Sequence, residues 1–185
     1  MTAVFISTDK GEKDITAVFS MLKRAARVSA VFEGAVKIVS DAEYLLLPLK
    51  QGTITDDTNC AAIVFDDSEQ LEKLPDGCAV LCFCEKAAVR CSGKRRQVIS
   101  CGLHNKDTVT LSSLEKGKPV LSLQRRLITF SGEEIDVGDF PLITSESDHR
   151  VLIASAVLLL LGGRELTPEV FCDQSSTTDP VPFSK

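Results

Sequence analysis

Two polar clusters in this 185-residue chain carry side chains able to do chemistry. The first is Asp66-Asp67-Ser68, directly after the apolar run Ala61–Phe65. Paired carboxylates can accept sugar hydroxyls or hold Mg²⁺, a hard cation that prefers carboxylate oxygen. The same residues can equally cap a following helix. The second cluster is Gly102–Asp107, GLHNKD, after the apolar run Val98–Cys101. His104, Asn105 and Lys106 supply an imidazole base, an amide and an ammonium, although a solvated turn shaped by Gly102 and Asn105 uses the same residues. A third candidate is His149, between Asp148 and Arg150 at the head of an apolar stretch. A helix N-terminus there attracts a phosphate or carboxylate, or is simply a capped helix start. Asp66, Asp67, His104, Asn105, Lys106 and His149 are therefore the candidate ligand-binding residues.

Several devices are missing. The sequence has no G-x-x-x-x-G-K-[ST] phosphate cradle, no G-x-G-x-x-G after a strand, no H-E-x-x-H and no G-x-S-x-G. With two histidines, nucleophilic triads have few ways to assemble; Cys101 beside His104 is the one thiol–imidazole pair worth naming. The seven cysteines are Cys60, Cys78, Cys82, Cys84, Cys91, Cys101 and Cys172. Their number is odd, and the spacing C-x3-C-x-C falls inside the apolar run CAVLCFC. On a strand those thiols stand in a line rather than a tetrahedron. They read as small buried hydrophobes, and no metal or cofactor is expected.

The elements that position these residues follow from periodicity. Asp14 to Phe32 carries helical spacing through Ile15, Val18, Phe19, Leu22, Ala26, Val28, Val31 and Phe32. Asp14 reads as its N-cap and Gly34 as its stop. Ala3–Ser7, Val36–Val39 and Tyr44–Leu49 read as strands, and Gln51–Asn59 as a loop. Ala61–Phe65, Ala79–Phe83 and Val98–Cys101 are continuous apolar runs, as in strands covered on both faces. A short helix is expected over Glu69–Leu74, and a basic turn at Gly93–Arg96. From Thr108 to Phe130 polar and apolar residues alternate between turns, which predicts a half-exposed antiparallel meander. Asp148 then caps an apolar helix from His149 to Leu161, ended by Gly162-Gly163. Its apolar core, Val151–Leu161, rises only about 16 Å, too short for a membrane core of roughly 30 Å. The fold class is α/β: a Rossmann-like layered sandwich with a largely parallel sheet and an antiparallel meander in the second half. Residues 1–170 form one domain on this reading, with 171–185 a polar tail.

Net charge is −5 and the pI about 5.1. An acidic chain with one Tyr and no Trp lacks both the basic field and the stacking platforms of nucleic-acid binding. The N-terminus has no basic segment followed by an apolar stretch, so a cleaved signal peptide is not expected. A cytoplasmic protein without membrane or nucleic-acid partners is the expectation.

Three stretches in order resemble the central nucleotide-binding domain of the Mur ligases. AAIVFDDSEQL (Ala61–Leu71) resembles a strand running into Asn-x-Asp-Asp and a helix. VISCGLHNKDTVTLSS (Val98–Ser113) resembles the strand and Gly that follow. SDHRVLIASAVLLLLGGR (Ser147–Arg164) resembles the helix opening Gly-x-His-Asn-x-x-Asn, with His149 on the motif's His. The amides of those motifs are replaced by Val64, Arg150 and Ile153, and the phosphate loop expected before residue 60 is absent. The resemblance implies a bacterial protein that kept the scaffold without ATP-dependent ligase activity, since phosphoryl transfer needs a phosphate cradle and metal ligands. Its expected role is non-catalytic: binding a small anionic ligand or a protein partner. The alternatives are a small hydrolase or transferase using the Asp66/Asp67 and His104 loops, and a subunit that self-associates into a homo-oligomer.

Overall fold

The apolar runs assemble side by side. The computed structural model describes residues 1–32, 34–49, 59–67, 71–72, 74–92 and 96–172. Its strands are β1 (Thr2–Ser7), β2 (Val28–Phe32), β3 (Ala35–Lys37), β4 (Tyr44–Pro48), β5 (Cys60–Val64), β6 (Ala79–Cys82), β7 (Gln97–Gly102), β8 (Val109–Ser113), β9 (Val120–Leu123), β10 (Leu127–Ile128), β11 (Glu134–Ile135) and β12 (Gly138–Pro141). The helices are α1 (Glu12–Leu22), α2 (Glu85–Cys91) and α3 (His149–Leu161). Ten strands form one sheet in the order β12-β9-β8-β7-β6-β5-β1-β4-β2-β3, and β10-β11 is a separate ribbon. From β2 to β8 the neighbouring strands run parallel. The pairings of β3, β9 and β12 are antiparallel. The expected class, a largely parallel Rossmann-like sheet with a later meander, is the observed one.

Helices α1 and α3 cover one face of the sheet, where Val4, Ile6, Ala61, Ile63, Leu81 and Ile99 point. Helix α2 covers the other, over Phe5, Ala62, Val64, Val80 and Cys82. The strict alternation of the two sets along β5 and β6 is the two-residue period of a strand buried on both sides. Every residue of Val151–Leu161 is buried, as an all-round apolar helix requires. The Tyr44 hydroxyl donates to the Leu158 carbonyl at 2.9 Å and pins the C-terminal end of α3 to β4.

The first helix is shorter than its spacing predicts. Helix α1 stops at Leu22, Lys23–Ala26 turn the chain, and Val28–Phe32 is strand β2. In VSAVF, Val28, Val31 and Phe32 satisfy the helical stripe, but pairing with β3 and β4 on two sides decides for the strand. Gly34, at φ +85°, turns β2 into β3 instead of ending a helix. Gly11 is the N-cap of α1, and Asp14 lies in its first turn. Helix α2 has no counterpart in the sequence reading. The loop at Gln51–Asn59 and the helix at Glu69–Leu74 lie largely outside the described residues. So do Ser68, the basic turn at Gly93–Arg95 and most of the 171–185 tail.

Candidate functional site

Parallel sheets present ligands at the carboxyl ends of their strands, because loops and helix N-termini gather there. Here β6 and β7 end side by side, in register from Ala79–Gln97 to Cys82–Ser100. Beyond them opens a cavity of about 680 Å³. Cys82, Cys84, Glu85 and Ala88 line it from β6 and α2; Ser100, Cys101, Gly102, His104, Lys106 and Asp107 from β7 and its loop; and His149 from the start of α3. Three of the six candidate residues, His104, Lys106 and His149, therefore share one cavity.

The loop after β7 is held by its own polar groups. The Asp107 carboxylate accepts from the His104 amide at 3.1 Å, and the Asp107 amide donates to the His104 carbonyl at 3.0 Å. That carboxylate folds over Gly102, where a Cβ would lie 2.5 Å from Asp107 Oδ2. Glycine is thus required by the approach of a side chain, not by φ. Ser100 Oγ accepts from the Thr108 amide at 2.9 Å, and Arg125 donates to the Lys106 carbonyl at 3.3 Å. These bonds fix the backbone while the His104 and Lys106 side chains stay exposed. Asn105 is an exposed turn residue that does not line the cavity.

At the start of α3 the capping expectation holds. Asp148 accepts from the Arg150 amide at 2.9 Å and pairs with the Arg150 guanidinium at 3.3 Å. Burial acts to raise the Asp148 carboxyl, but the hydrogen bonds and charge of Arg150 outweigh it and hold the group below its ordinary value. Glu146 Oε1 takes the amides of Ser147 and Asp148, both at 2.8 Å. Arg150 also lies over the Phe65 ring at 5.2 Å, so its cation is committed to Asp148 and Phe65. His149 is the polar side chain this helix start gives to the cavity.

Asp66 and Asp67 do not join it. Asp66 accepts from Ser7 Oγ at 3.4 Å, next to the end of β1. Asp67 pairs with Arg90 of α2 at 3.0 Å. Among the described residues no group of three His, Cys, Asp or Glu side chains is arranged to hold a metal ion. Cys101 is not an activated nucleophile. Complete burial pushes its thiol well above its ordinary value, and its Sγ contacts the Ile99 carbonyl at 3.5 Å. The cavity also holds Cys84, Glu85 and Ser100, absent from the candidate set. The strand-end rule applied to β6 as well as β7 would have pointed to Cys84 and Glu85.

No family model and no curated protein matches the chain. Solved structures do. MurF from Acinetobacter baumannii aligns with a TM-score of 0.53 at 11% identity, over 97% of this chain and 46% of that one. The murein peptide ligase from Neisseria meningitides aligns with a TM-score of 0.58 at 8% identity, over 97% of this chain and 66% of that one. A bifunctional folylpolyglutamate synthase/dihydrofolate synthase aligns at 0.56 and 9%, over 98% and 58%. The fold is Mur-ligase-like. This chain spans less than half the length of the MurF structures it matches.

Within that Mur-ligase-like fold, the motif positions that resemble the ligases are altered in kind. Val64 and Ile153, standing where the resemblance implies amides, are fully buried in β5 and α3. Between β1 and α1 the chain reads Thr8-Asp9-Lys10-Gly11-Glu12-Lys13-Asp14. Glu12 and Asp14 occupy the first turn of α1, and the Thr8 hydroxyl donates to Asp14. Carboxylates at the positive end of a helix dipole occupy the place an anion would take. Among the described residues no helix is long and apolar enough to cross a membrane.

Proposed function

We propose that this chain is a non-catalytic Mur-ligase-like protein that binds a small anionic ligand in the cavity at the ends of β6 and β7. The observation that carries the reading is that His104, Lys106 and His149, from two distant parts of the chain, line one cavity. Asp107 and Glu85 face the same space; the Asp107 carboxylate accepts from the His104 amide beside Gly102, and Glu85 reaches the cavity from the first turn of α2. The Lys106 ammonium has no ion-pair partner among the described residues. Lys106 and His149 pair with the anion in this reading, and His104 supplies a further ring N–H. The β1–α1 junction, with Asp9, Glu12 and Asp14 beside Lys10 and Lys13, does not carry the G-x-x-x-x-G-K-[ST] cradle, which supports the loss of a triphosphate grip. The setting proposed is the bacterial cytoplasm, supported by seven free thiols.

The competing enzyme reading needs the Asp66/Asp67 and His104 loops to meet on one reacting atom. The geometry gives it no support, since His104 lines a cavity that neither aspartate lines. Titration calorimetry with inorganic phosphate, and separately with ATP and Mg²⁺, tests the proposal. Phosphate should bind, and Lys106→Ala should weaken it about tenfold, the scale of one charge-assisted hydrogen bond. ATP should bind no more tightly than phosphate. Tight ATP binding indifferent to Lys106→Ala, or no response to phosphate, overturns the proposal.

A further inference from the structure

Cluster geometry on the α2 face of the sheet singles out two cysteines far from the strand-end cavity. Ala61 of β5 faces Ala79 of β6, so one step back along both strands brings Cys60 opposite Cys78. Neighbouring strands stand about 4.8 Å apart, inside the Cα separation of roughly 4.4–6.8 Å that a disulfide spans. The two side chains share a face: Cys60 and Cys78 belong to the cluster of Ala62 and Val80, while Ala61 and Ala79 point to the opposite one. The Cys78 thiol donates to the Ala79 carbonyl at 3.6 Å, and the two thiols are close enough to shift each other's acidity. Cys60 also lines a cavity of about 450 Å³ with Pro75, Asp76 and Gly77, which gives a small oxidant a way in.

We propose that Cys60 and Cys78 are a peroxide-sensitive thiol pair that closes to a cross-strand disulfide between β5 and β6. The two thiols have unlike roles. The neighbouring Cys78 thiol lowers the Cys60 thiol against the opposing effect of burial, with help from the charge of Arg96. Arg96 is held in place by donating to the carbonyls of Leu71, Leu74 and Pro75. The same proximity, together with burial, pushes the Cys78 thiol up. Cys60 lines the cavity while Cys78 is wholly buried, so Cys60 is the attacking thiolate. Its sulfur bonds to one peroxide oxygen, the O–O bond breaks, and hydroxide leaves and is protonated to water. The resulting sulfenic acid is attacked by Cys78 sulfur; the S–S bond forms, the S–O bond breaks, and the Cys78 proton leaves with hydroxide as a second water. Two thiols lose two electrons, and one peroxide gains them. Cys82 and Cys91 are a second pair on this face, but burial first, and Cys91 second, push the Cys82 thiol up to about 12. That pair stays reduced and serves as an internal control.

The test uses the reduced, folded full chain. It is treated with hydrogen peroxide, capped with an alkylating agent after denaturation, digested without reductant and sequenced by mass spectrometry. The expected product joins Cys60 to Cys78, with Cys82 and Cys91 alkylated. In Cys78→Ser, dimedone should label Cys60. Cys60 and Cys78 both alkylated while other cysteines have oxidised would refute the pair, as would a link from Cys60 to a different cysteine. The wild-type product decides the matter even where the serine variant fails to fold.

Discussion

Gly162→Ala should destabilise the protein through one side chain, and removing a single oxygen atom should reverse the effect. Gly162 follows α3 with φ −74°, a conformation any residue adopts, so the backbone gives alanine no penalty. The obstacle is Tyr44, only 3% exposed, whose hydroxyl an added Cβ would overlap. The ring is packed between β4 and α3, so the hydroxyl cannot swing aside as a flexible chain end would. Overpacking of this kind costs about 1–3 kcal/mol, and the displaced Tyr44–Leu158 hydrogen bond adds about 1 kcal/mol. The sum is about 2–4 kcal/mol, or roughly 4–16 °C in Tm for a chain of this size. Tyr44→Phe alone should cost about 1 kcal/mol, because the Leu158 carbonyl keeps its bond from the Gly162 amide at 3.0 Å. In the Tyr44→Phe background the new methyl enters the space the oxygen vacated. Gly162→Ala there should be neutral, or stabilising by up to about 1 kcal/mol through the stiffer unfolded chain. Urea unfolding of the four proteins gives the coupling directly. Equal costs in both backgrounds would refute the account.

Two further outcomes follow from the site. Asp148 and Glu43 are both held below their ordinary values of 3.8 and 4.5 by Arg150 and by Arg164 and Arg27, against burial. A depressed carboxyl adds stability above its unfolded value and loses it as pH falls through the folded one. Urea midpoints should therefore fall on acidification below about pH 4.5, and Asp148→Asn should flatten that fall, with a cap loss near 1 kcal/mol at most. An unchanged acid profile in the variant would count against the Asp148–Arg150 contact. Cys101, buried and pushed up, should resist iodoacetamide in the folded protein while Cys84 and Cys172 react; early modification of Cys101, read by mass spectrometry, would reopen its pairing with His104.

Burial on both faces made much of the architecture legible. AAIVF, AVLC and VISC have no polar residue facing either side except Ser100, and such runs fit few places other than the middle of a parallel sheet. Helix α3 was legible to its first and last residues because Asp148 and Gly162 bracket a run that is apolar from Val151 to Leu161 except at Ser155. VSAVF misleads because five residues with apolar members at Val28, Val31 and Phe32 satisfy both periods, and the partner strands that decide are distant in sequence. Helix α2, seven residues long, buries only Ala87 and Cys91, too few for a period to show. The site divides on similar lines. His104, Lys106 and His149 follow from strand and helix ends. Asp66 and Asp67 follow the same rule, yet face β1 and α2 instead, since strand order decides which neighbour a strand-end side chain meets.

Three local changes bear on one question, where an anion can rest in a Mur-ligase-like sheet. Strand order reverses at β1, so the crevice between the ends of β1 and β5 is the place topology offers a ligand first. At that junction Asp66 accepts from Ser7, Asp14 accepts from Thr8, and Glu12 stands in the first turn of α1, with Lys10 and Lys13 in the same stretch. Val64 and Ile153, fully buried nearby in sequence to Asp66 and His149, add packing and no donors. Two strands further along the sheet, Lys106, His104 and His149 face open volume that Glu85 and Asp107 also line, with the Asp107 carboxylate bonded to its own loop. The anion site proposed above lies at the ends of β6 and β7, and Lys106 is the side chain whose removal should weaken it most.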